Sequence, residues 1–243
     1  APGQAVLPPV PVALEVSHRG AIASYYSATA TLEPDRRADI PARVKGVILQ
    51  VTAEEGDLVR QDQRLLRIQD SEYRLRLQQA EAEVAKQQTQ FQRVKRLHDQ
   101  GLAASDEFSA AEMDLKNAEA AKELAALEVS YAEVTAPFGG RITQRNVSAG
   151  QMVNSGATLF TLVDMQRLLA RVHVPAREFR SIKTDQPVDL LLDSNQEHLQ
   201  GRIALVSPVV DPTSGTIKVT VEVKDYPPTA RPGDFVEVRI VTA

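Results

Sequence analysis

"GVILQVTAEEGDLVRQDQRLLRI", residues 46–68, sets two short alternating apolar stretches on either side of a glycine turn. The pattern is that of half-buried strands joined where the backbone needs unusual freedom. The same pattern returns as "GRITQRNVSAGQMVNSGATLFTL" at 140–162. The wider stretches 40–70 and 134–164 align without a gap, and Ala42/Ala136, Gly46/Gly140, Ile48/Ile142, Gly56/Gly150, Val59/Val153, Leu65/Leu159 and Asp70/Asp164 are identical pairs. Two copies are too few for a solenoid. They suit two half-motifs that pair to close one small β-sandwich.

Between the halves the pattern turns helical. No Gly or Pro occurs from Ser71 to Asp99, and Tyr73, Leu77, Ala80, Val84, Gln87, Phe91 and Val94 step at heptad spacing. Ser71 is the expected N-cap, and Gly101 in "DQGLAAS" the expected stop. Ser105, with Asp106 and Glu107 behind it, restarts a helix as an N-cap with an acidic first turn. Phe108, Ala111, Leu115 and Ala118 carry the second seam, which then drifts toward Leu124, Leu127 and Tyr131. Two helices of roughly 27 residues make an antiparallel hairpin extending about 40 Å.

After Asp164 the chain reads as all-β. "RLLARVHV", "QPVDLLLD", "GRIALVSPVV", "TIKVTVEV" and "DFVEVRIV" are strands at the spacing of a small barrel, with "PAREFRSI" a short helix opened by Pro175. The strand-like "ALEVSHRGAIASYYSATATLEP" precedes the first half-motif and crosses into the barrel or a neighbouring β-domain. The fold class is therefore mainly β with an α-helical hairpin: a split sandwich, a coiled-coil arm and a small β-barrel.

Composition narrows the function. The 243 residues are 43% hydrophobic and 25% charged, with no Cys and no Trp. Without cysteine there is no disulfide framework and no thiolate nucleophile. A net charge of −4 with no basic face argues against nucleic acid as a partner. His18, His98, His173 and His198 are scattered without metal-ligand spacing, as are Met113, Met152 and Met165, so surface or strand-edge roles are favoured over a metal site. "EEGD" reads as a solvated turn, and no nucleophile elbow, P-loop or GxGxxG occurs. Neither catalytic residues nor a cofactor is expected.

The half-motifs resemble those of biotin- and lipoate-carrying domains. A carrier displays a lysine on the hairpin joining its halves, but here that point, after "RIQD", holds Ser71, Glu72 and Tyr73, and the next lysine is Lys86 inside a helix. Split lipoyl halves around a helical hairpin, followed by a barrel, resemble instead the periplasmic adaptor proteins, also called membrane fusion proteins (HlyD-like), of tripartite efflux pumps. "ARVKGVILQVTAEEGDLVRQDQRLLRIQD", the "APFGGRI" in the second half, "VDPTSGTIKVTVEV" and "RPGDFVEVRI" carry the likeness, which covers nearly the whole chain. Asp234 stands where the family more usually has Met.

The resemblance implies six segments. Residues 1–24 form an N-terminal extension and a strand of an incomplete membrane-proximal domain, and 25–38 a strand joining the barrel. The first lipoyl half is 39–70, the hairpin 71–131, the second half 132–165 and the barrel 166–243. It also implies a non-enzymatic adaptor in the periplasm, associated with the inner membrane through an anchor or lipid outside this sequence. Such an adaptor links an inner-membrane transporter to an outer-membrane channel, assembles as a ring of six and transmits conformational change during export. The resistance-nodulation-division (RND) class is the closest in its hairpin tip. There the family carries an Arg, a Leu four residues on and a Ser seven after that, and these meet the channel. Arg93 and Leu97 match the first two; Ala104 takes the third place and Ser105 follows one later, so Ser105 serves equally as an N-cap. The implied docking set is Arg93, Leu97, Gly101, Leu102 and Ser105. Rival readings are a metal-efflux adaptor that itself binds the exported ion, a biotin or lipoate carrier subunit, and a coiled-coil scaffold without a transport role.

Overall fold

A computed structural model describes residues 24–178 and 182–242. The two halves of the repeat match element for element. The first half supplies β3 (Gly46–Val51), β4 (Leu58–Val59) and β5 (Arg64–Ile68). The second supplies β7 (Gly140–Arg145), β8 (Met152–Val153) and β9 (Thr158–Val163). Together with β2 (Arg37–Pro41) and β6 (Glu133–Thr135) they form two four-stranded sheets, ordered β2-β9-β7-β4 and β6-β5-β3-β8. Each sheet therefore mixes strands from both halves, so neither half closes a sheet alone.

The exchange is reciprocal down to single hydrogen bonds. The Gly56 N–H donates to the Ile142 carbonyl at 2.8 Å, and the equivalent Gly150 N–H donates to Ile48 at 2.7 Å. Ile142 N–H donates to Asp57, and Ile48 N–H to Gln151. Ala42 N–H reaches the Ala157 carbonyl while Ala136 N–H reaches that of Gln63. Gly56 and Gly150 sit at φ of +91° and +84°, the region a side chain disfavours, which is why the turn in each copy holds glycine. The interior joins Ile48, Leu65, Leu66 and Ile68 to Ile142, Leu159, Phe160 and Leu162, all fully buried. Gly140 has a different constraint: a Cβ there would stand 2.5 Å from the Val163 carbonyl oxygen.

The hairpin grows from this clasp. Strand β5 leads into α1 (Ser71–Asp99), and α2 (Ser105–Tyr131) returns into β6, which pairs with β5. Adjacent strands thus hold the two helix roots side by side and antiparallel. Tyr73, 6% exposed, donates its hydroxyl to the Lys45 carbonyl at 2.9 Å, and the Arg43 guanidinium lies over the Tyr131 ring at 4.9 Å. All seven predicted seam residues of α1 are covered. In α2 the seam does not drift. Phe108, Ala111, Leu115, Ala118, Lys122, Ala125 and Val129 keep strict heptad spacing and are covered, whereas Leu124 and Leu127 are exposed. The expected cap at Ser71 is also corrected. Asp70 holds the N-cap position without a side-chain capping bond, because its carboxylate accepts from Arg74 at 2.8 Å and Arg67 at 3.3 Å.

The barrel closes in the order β1-β10-β13-β12-β11-β14, with β14 returning to β1. Its strands are β1 (Tyr25–Pro34), β10 (Leu168–Pro175), β11 (Pro187–Leu192), β12 (His198–Asp211), β13 (Thr216–Val223) and β14 (Phe235–Val241). Inward residues alternate, as in Val236, Val238 and Ile240 on β14, and Leu32, Val172, Leu190 and Val221 meet them inside. Pro175 does not open a helix: it is the last residue of β10, paired with Thr216, and 176–178 form a turn. The rest of that predicted helix, and the N-terminal expectation for 1–23, lie outside the described residues. Two chain crossings join barrel to sandwich. Arg36 pairs with the buried Asp164 at 2.6 Å, and Arg167 bridges Asp35 at 2.8 Å and Glu222 at 2.7 Å.

Two stability predictions result. Gly140→Ala forces backbone to move and should lower unfolding stability by about 2 kcal/mol, while Gly56→Ala and Gly150→Ala should each cost about 1 kcal/mol through the strained φ. Urea midpoints of the three variants would check both values and the equality of the last two. The second concerns acid. Arg74, and then Arg67, hydrogen-bond the Asp70 carboxylate and hold its pKa below the usual range, against the opposing effect of burial. The stabilisation is therefore complete above the unfolded carboxylate value of about 3.9 and is lost as pH falls through the lower folded value. Asp70→Asn should cost about 1 kcal/mol at neutral pH, and the gap to the wild type should narrow in denaturant titrations as pH falls below the unfolded carboxylate value.

Candidate docking site at the hairpin tip

The far end of the hairpin is built by a glycine stop. Gly101 takes φ +73°, its N–H donates to His98 at 2.9 Å, and the Leu102 N–H donates to Leu97 at 2.8 Å. These two bonds are the Schellman arrangement, which ends a helix by turning the chain back across its last carbonyls. The expected role of Gly101 as terminator is what the backbone shows.

Helix α2 starts one residue earlier than the serine pattern suggests. Ala104 holds the N-cap position, with extended backbone at φ −72° and ψ 151°, and Ser105 is the first helical residue. Ser105 is therefore not the cap. Its hydroxyl is exposed and has no partner among the described residues.

Four of the five proposed tip residues, Leu97, Gly101, Leu102 and Ser105, gather at the turn, with Leu102 71% and Leu97 38% exposed. Arg93 lies one helical turn behind Leu97, exposed, and its guanidinium donates to Gln90 at 2.5 Å. Under the turn the seam is aromatic. Phe108 packs against Phe91 at a centroid distance of 5.6 Å and stacks with His98 at 4.9 Å, while Val94 is 1% exposed. Exposed leucines thus stand on a packed base, an arrangement suited to contact with another protein rather than to bond chemistry.

The remaining histidines have other surroundings. His98 belongs to the seam, His173 is an exposed residue of β10, and His198 contacts Asp189 through Nδ1 at 3.0 Å; His18 lies outside the described residues. Among the described residues no group of three or more His, Asp or Glu is placed to hold a metal ion, and no helix is long and apolar enough to cross a membrane. Two exposed surfaces escaped sequence reasoning. One is the outer face of α2, with Met113, Leu124 and Leu127. The other is on the barrel, with Leu205, Val209 and Val210 on β12. Heptad counting from Phe108 would have found the first. The second depends on irregularities in β12 between Ile203 and Val210, which alternation does not reveal.

Comparison with known proteins agrees with this architecture. Residues 36–165 match the family model for the barrel-sandwich hybrid domain of RND membrane fusion proteins, and 170–243 match that for a CusB-like β-barrel domain. The nodulation protein NolF of Rhizobium meliloti is 30% identical over 220 residues, 84% of this chain and 60% of that protein. The multidrug resistance protein MdtA of Pectobacterium carotovorum is 28% identical over 253 residues, 95% of this chain and 61% of its own. The antibiotic efflux pump periplasmic linker protein ArpA of Pseudomonas putida is 26% identical over 221 residues, covering 84% and 60%. The chain thus spans about 60% of the length of the curated relatives it matches. A MacA–MexA chimera carrying the Pseudomonas aeruginosa MexA α-hairpin domain shares the fold, with a TM-score of 0.76 and 24% identity over 91% of this chain and 82% of that one. ZneB from Cupriavidus metallidurans does so at 0.57 and 18%, over 92% and 100%. By its matching domains and relatives, the chain belongs to the RND membrane fusion protein family.

Proposed function

We propose that this chain is the periplasmic, non-enzymatic part of an adaptor that links an inner-membrane efflux transporter to an outer-membrane channel. The observation that carries the reading is the tip: Leu97 and Leu102 are exposed at the end of a hairpin about 43 Å long. Apolar side chains at such a point cost solubility unless a partner covers them. Names of relatives, a multidrug resistance protein and an efflux-pump periplasmic linker, support the setting. The barrel, with Val209 and Val210 outward, faces the transporter, and the tip faces the channel. Copies stand side by side in a ring of six, with the clasped sandwiches as the rigid collar. Energy comes from the transporter, and the adaptor seals the gap and relays its movement. An anchor or lipid ties the protein to the inner membrane.

Arg93, Leu97, Gly101, Leu102 and Ser105 form the channel contact. Gly101 acts through the turn it permits, and the others through their side chains. Leu97→Asp should leave the unfolding midpoint nearly unchanged, within about 0.5 kcal/mol, because the side chain is partly exposed. It should abolish capture of the outer-membrane channel and sensitise cells to the pump's substrates; normal capture and resistance would sink the reading. Ser105→Ala separates two roles. A capping serine would cost about 1 kcal/mol, whereas here stability should be unchanged while channel capture weakens.

A further inference from the structure

The sandwich is open along one edge. Strands β2 and β6 end their sheets there, each with a neighbour on one side alone among the described residues. Between them runs a cleft of about 1060 Å³ that reaches the roots of both helices. That volume is at the upper end of small-molecule sites. Sheets of a sandwich stand about 10 Å apart, which admits a flat ring with both faces covered. Ile40, Leu127 and Val134 give the cleft apolar walls. Two stacked pairs fix its direction: Arg43 lies over the Tyr131 ring at 4.9 Å at the root end, and Arg36 over Phe138 at 4.8 Å toward the barrel.

Charge is unevenly placed along the cleft. At the root end the guanidinium groups of Arg43, Arg67 and Arg74 stand with a single carboxylate, that of Asp70. Asp70 accepts from Arg74 at 2.8 Å and from Arg67 at 3.3 Å, while Arg43 has no ion-pair partner among the described residues. A guanidinium carries five N–H donors, so most of those at the root remain open to an acceptor. Midway, Arg64 and Glu133 pair at 3.7 Å. The other two carboxylates lie toward the barrel. Asp39 accepts from the Thr161 hydroxyl at 2.8 Å, and Asp62 sits beside Ala136, at the opposite end of β5 from Asp70. The positive excess is therefore confined to the end beside the helices.

From this we propose that the cleft binds an amphipathic organic anion, a flat apolar ring system bearing one carboxylate, sulfonate or phosphate. The ring lies between β2 and β6, against Leu127 and the stacked Arg43–Tyr131 pair. Its acid group takes N–H donors from Arg67 and Arg74, in competition with Asp70, and forms the short charge-assisted bonds that guanidinium groups make with such acceptors. A cation of the same shape would meet three guanidinium groups at close range, and a neutral one would gain only the apolar contacts. The bound ligand touches β2, β6 and the roots of α1 and α2 together, so it braces the arm against the sandwich. Binding here is independent of the channel contact at the tip, a hairpin's length away.

Anilinonaphthalene sulfonate, a flat aromatic anion, is the probe, and phenylnaphthylamine is its neutral counterpart. Titrated into the whole chain, the sulfonate should give saturable NMR shifts at the amides of Ala38, Tyr131 and Thr135, and the neutral compound should bind there roughly tenfold more weakly. Arg43→Gln should weaken the sulfonate by roughly tenfold. Thr135→Trp, at an exposed position on β6, should fill the cleft and block it. Asp70→Asn should tighten binding by roughly threefold or more, although it destabilises the fold, because Arg67 and Arg74 lose the carboxylate that competes with the ligand. The urea midpoint of the wild type should rise with dye concentration, and that of Thr135→Trp should stay fixed. Shifts confined to the tip or the outer face of α2, equal affinity for both compounds, or weaker binding by Asp70→Asn would overturn the site. Arg43→Gln and Thr135→Trp alter exposed residues, and far-ultraviolet circular dichroism checks that they fold.

Discussion

Every other part of the structure depends on the exchange of strands between the two halves of the repeat. Gly56 and Gly150 each donate to the isoleucine of the other half, and each sheet is completed by strands from both. Folding must therefore bring together segments separated by the whole hairpin, a long loop closure whose entropic cost grows only slowly with length. The insert shortens that loop in practice, because an antiparallel coiled coil returns the chain close to its starting point. Clasp and arm support each other: β5 and β6 hold the helix roots together, and the helices bring β6 back to β5.

That geometry explains how one scaffold serves two kinds of protein. In a carrier, the hairpin between halves is a tight turn that displays a lysine. Here the equivalent point is Asp70, whose carboxylate is taken up by Arg67 and Arg74 and from which α1 departs. Rigidity at the root has the same physical value in both cases. It fixes the direction in which a long arm leaves the sandwich. The barrel is tied on by two crossings with an ion-pair network of Asp35, Arg36, Asp164, Arg167 and Glu222. It is held by exposed arginines paired with buried and partly buried carboxylates rather than by a continuous apolar core, since the two core clusters are separate.

Much of this was legible in the sequence, for identifiable reasons. A repeat with matched glycines and aliphatics announces a two-half sandwich, because the glycines answer to backbone conformation and the aliphatics to burial. The stop at Gly101 was legible because few residues tolerate its positive φ. The caps were not. Ser71 and Ser105 are common capping residues, yet the positions before them, Asp70 and Ala104, hold the cap geometry. In one case the neighbouring arginines capture the carboxylate; in the other the turn sets the register. The apparent drift toward Leu124 and Leu127 came from reading two apolar faces as one. Lys122 holds a seam position that the leucines seemed better suited to fill. Pro175 misled because proline suits both a helix start and the end of a strand, and pairing with Thr216 decided between them. The tip residues were placed by resemblance, and their surroundings came only with the fold.

The most direct test of the reciprocal clasp is native-state hydrogen exchange at the amides of Gly56, Gly150, Ala42 and Ala136. The account predicts that all four exchange with one common opening free energy, equal to that of global unfolding of the sandwich. Exchange of Ala42 and Gly56 at a rate independent of Ala136 and Gly150 would contradict it, because each half would then be folding alone.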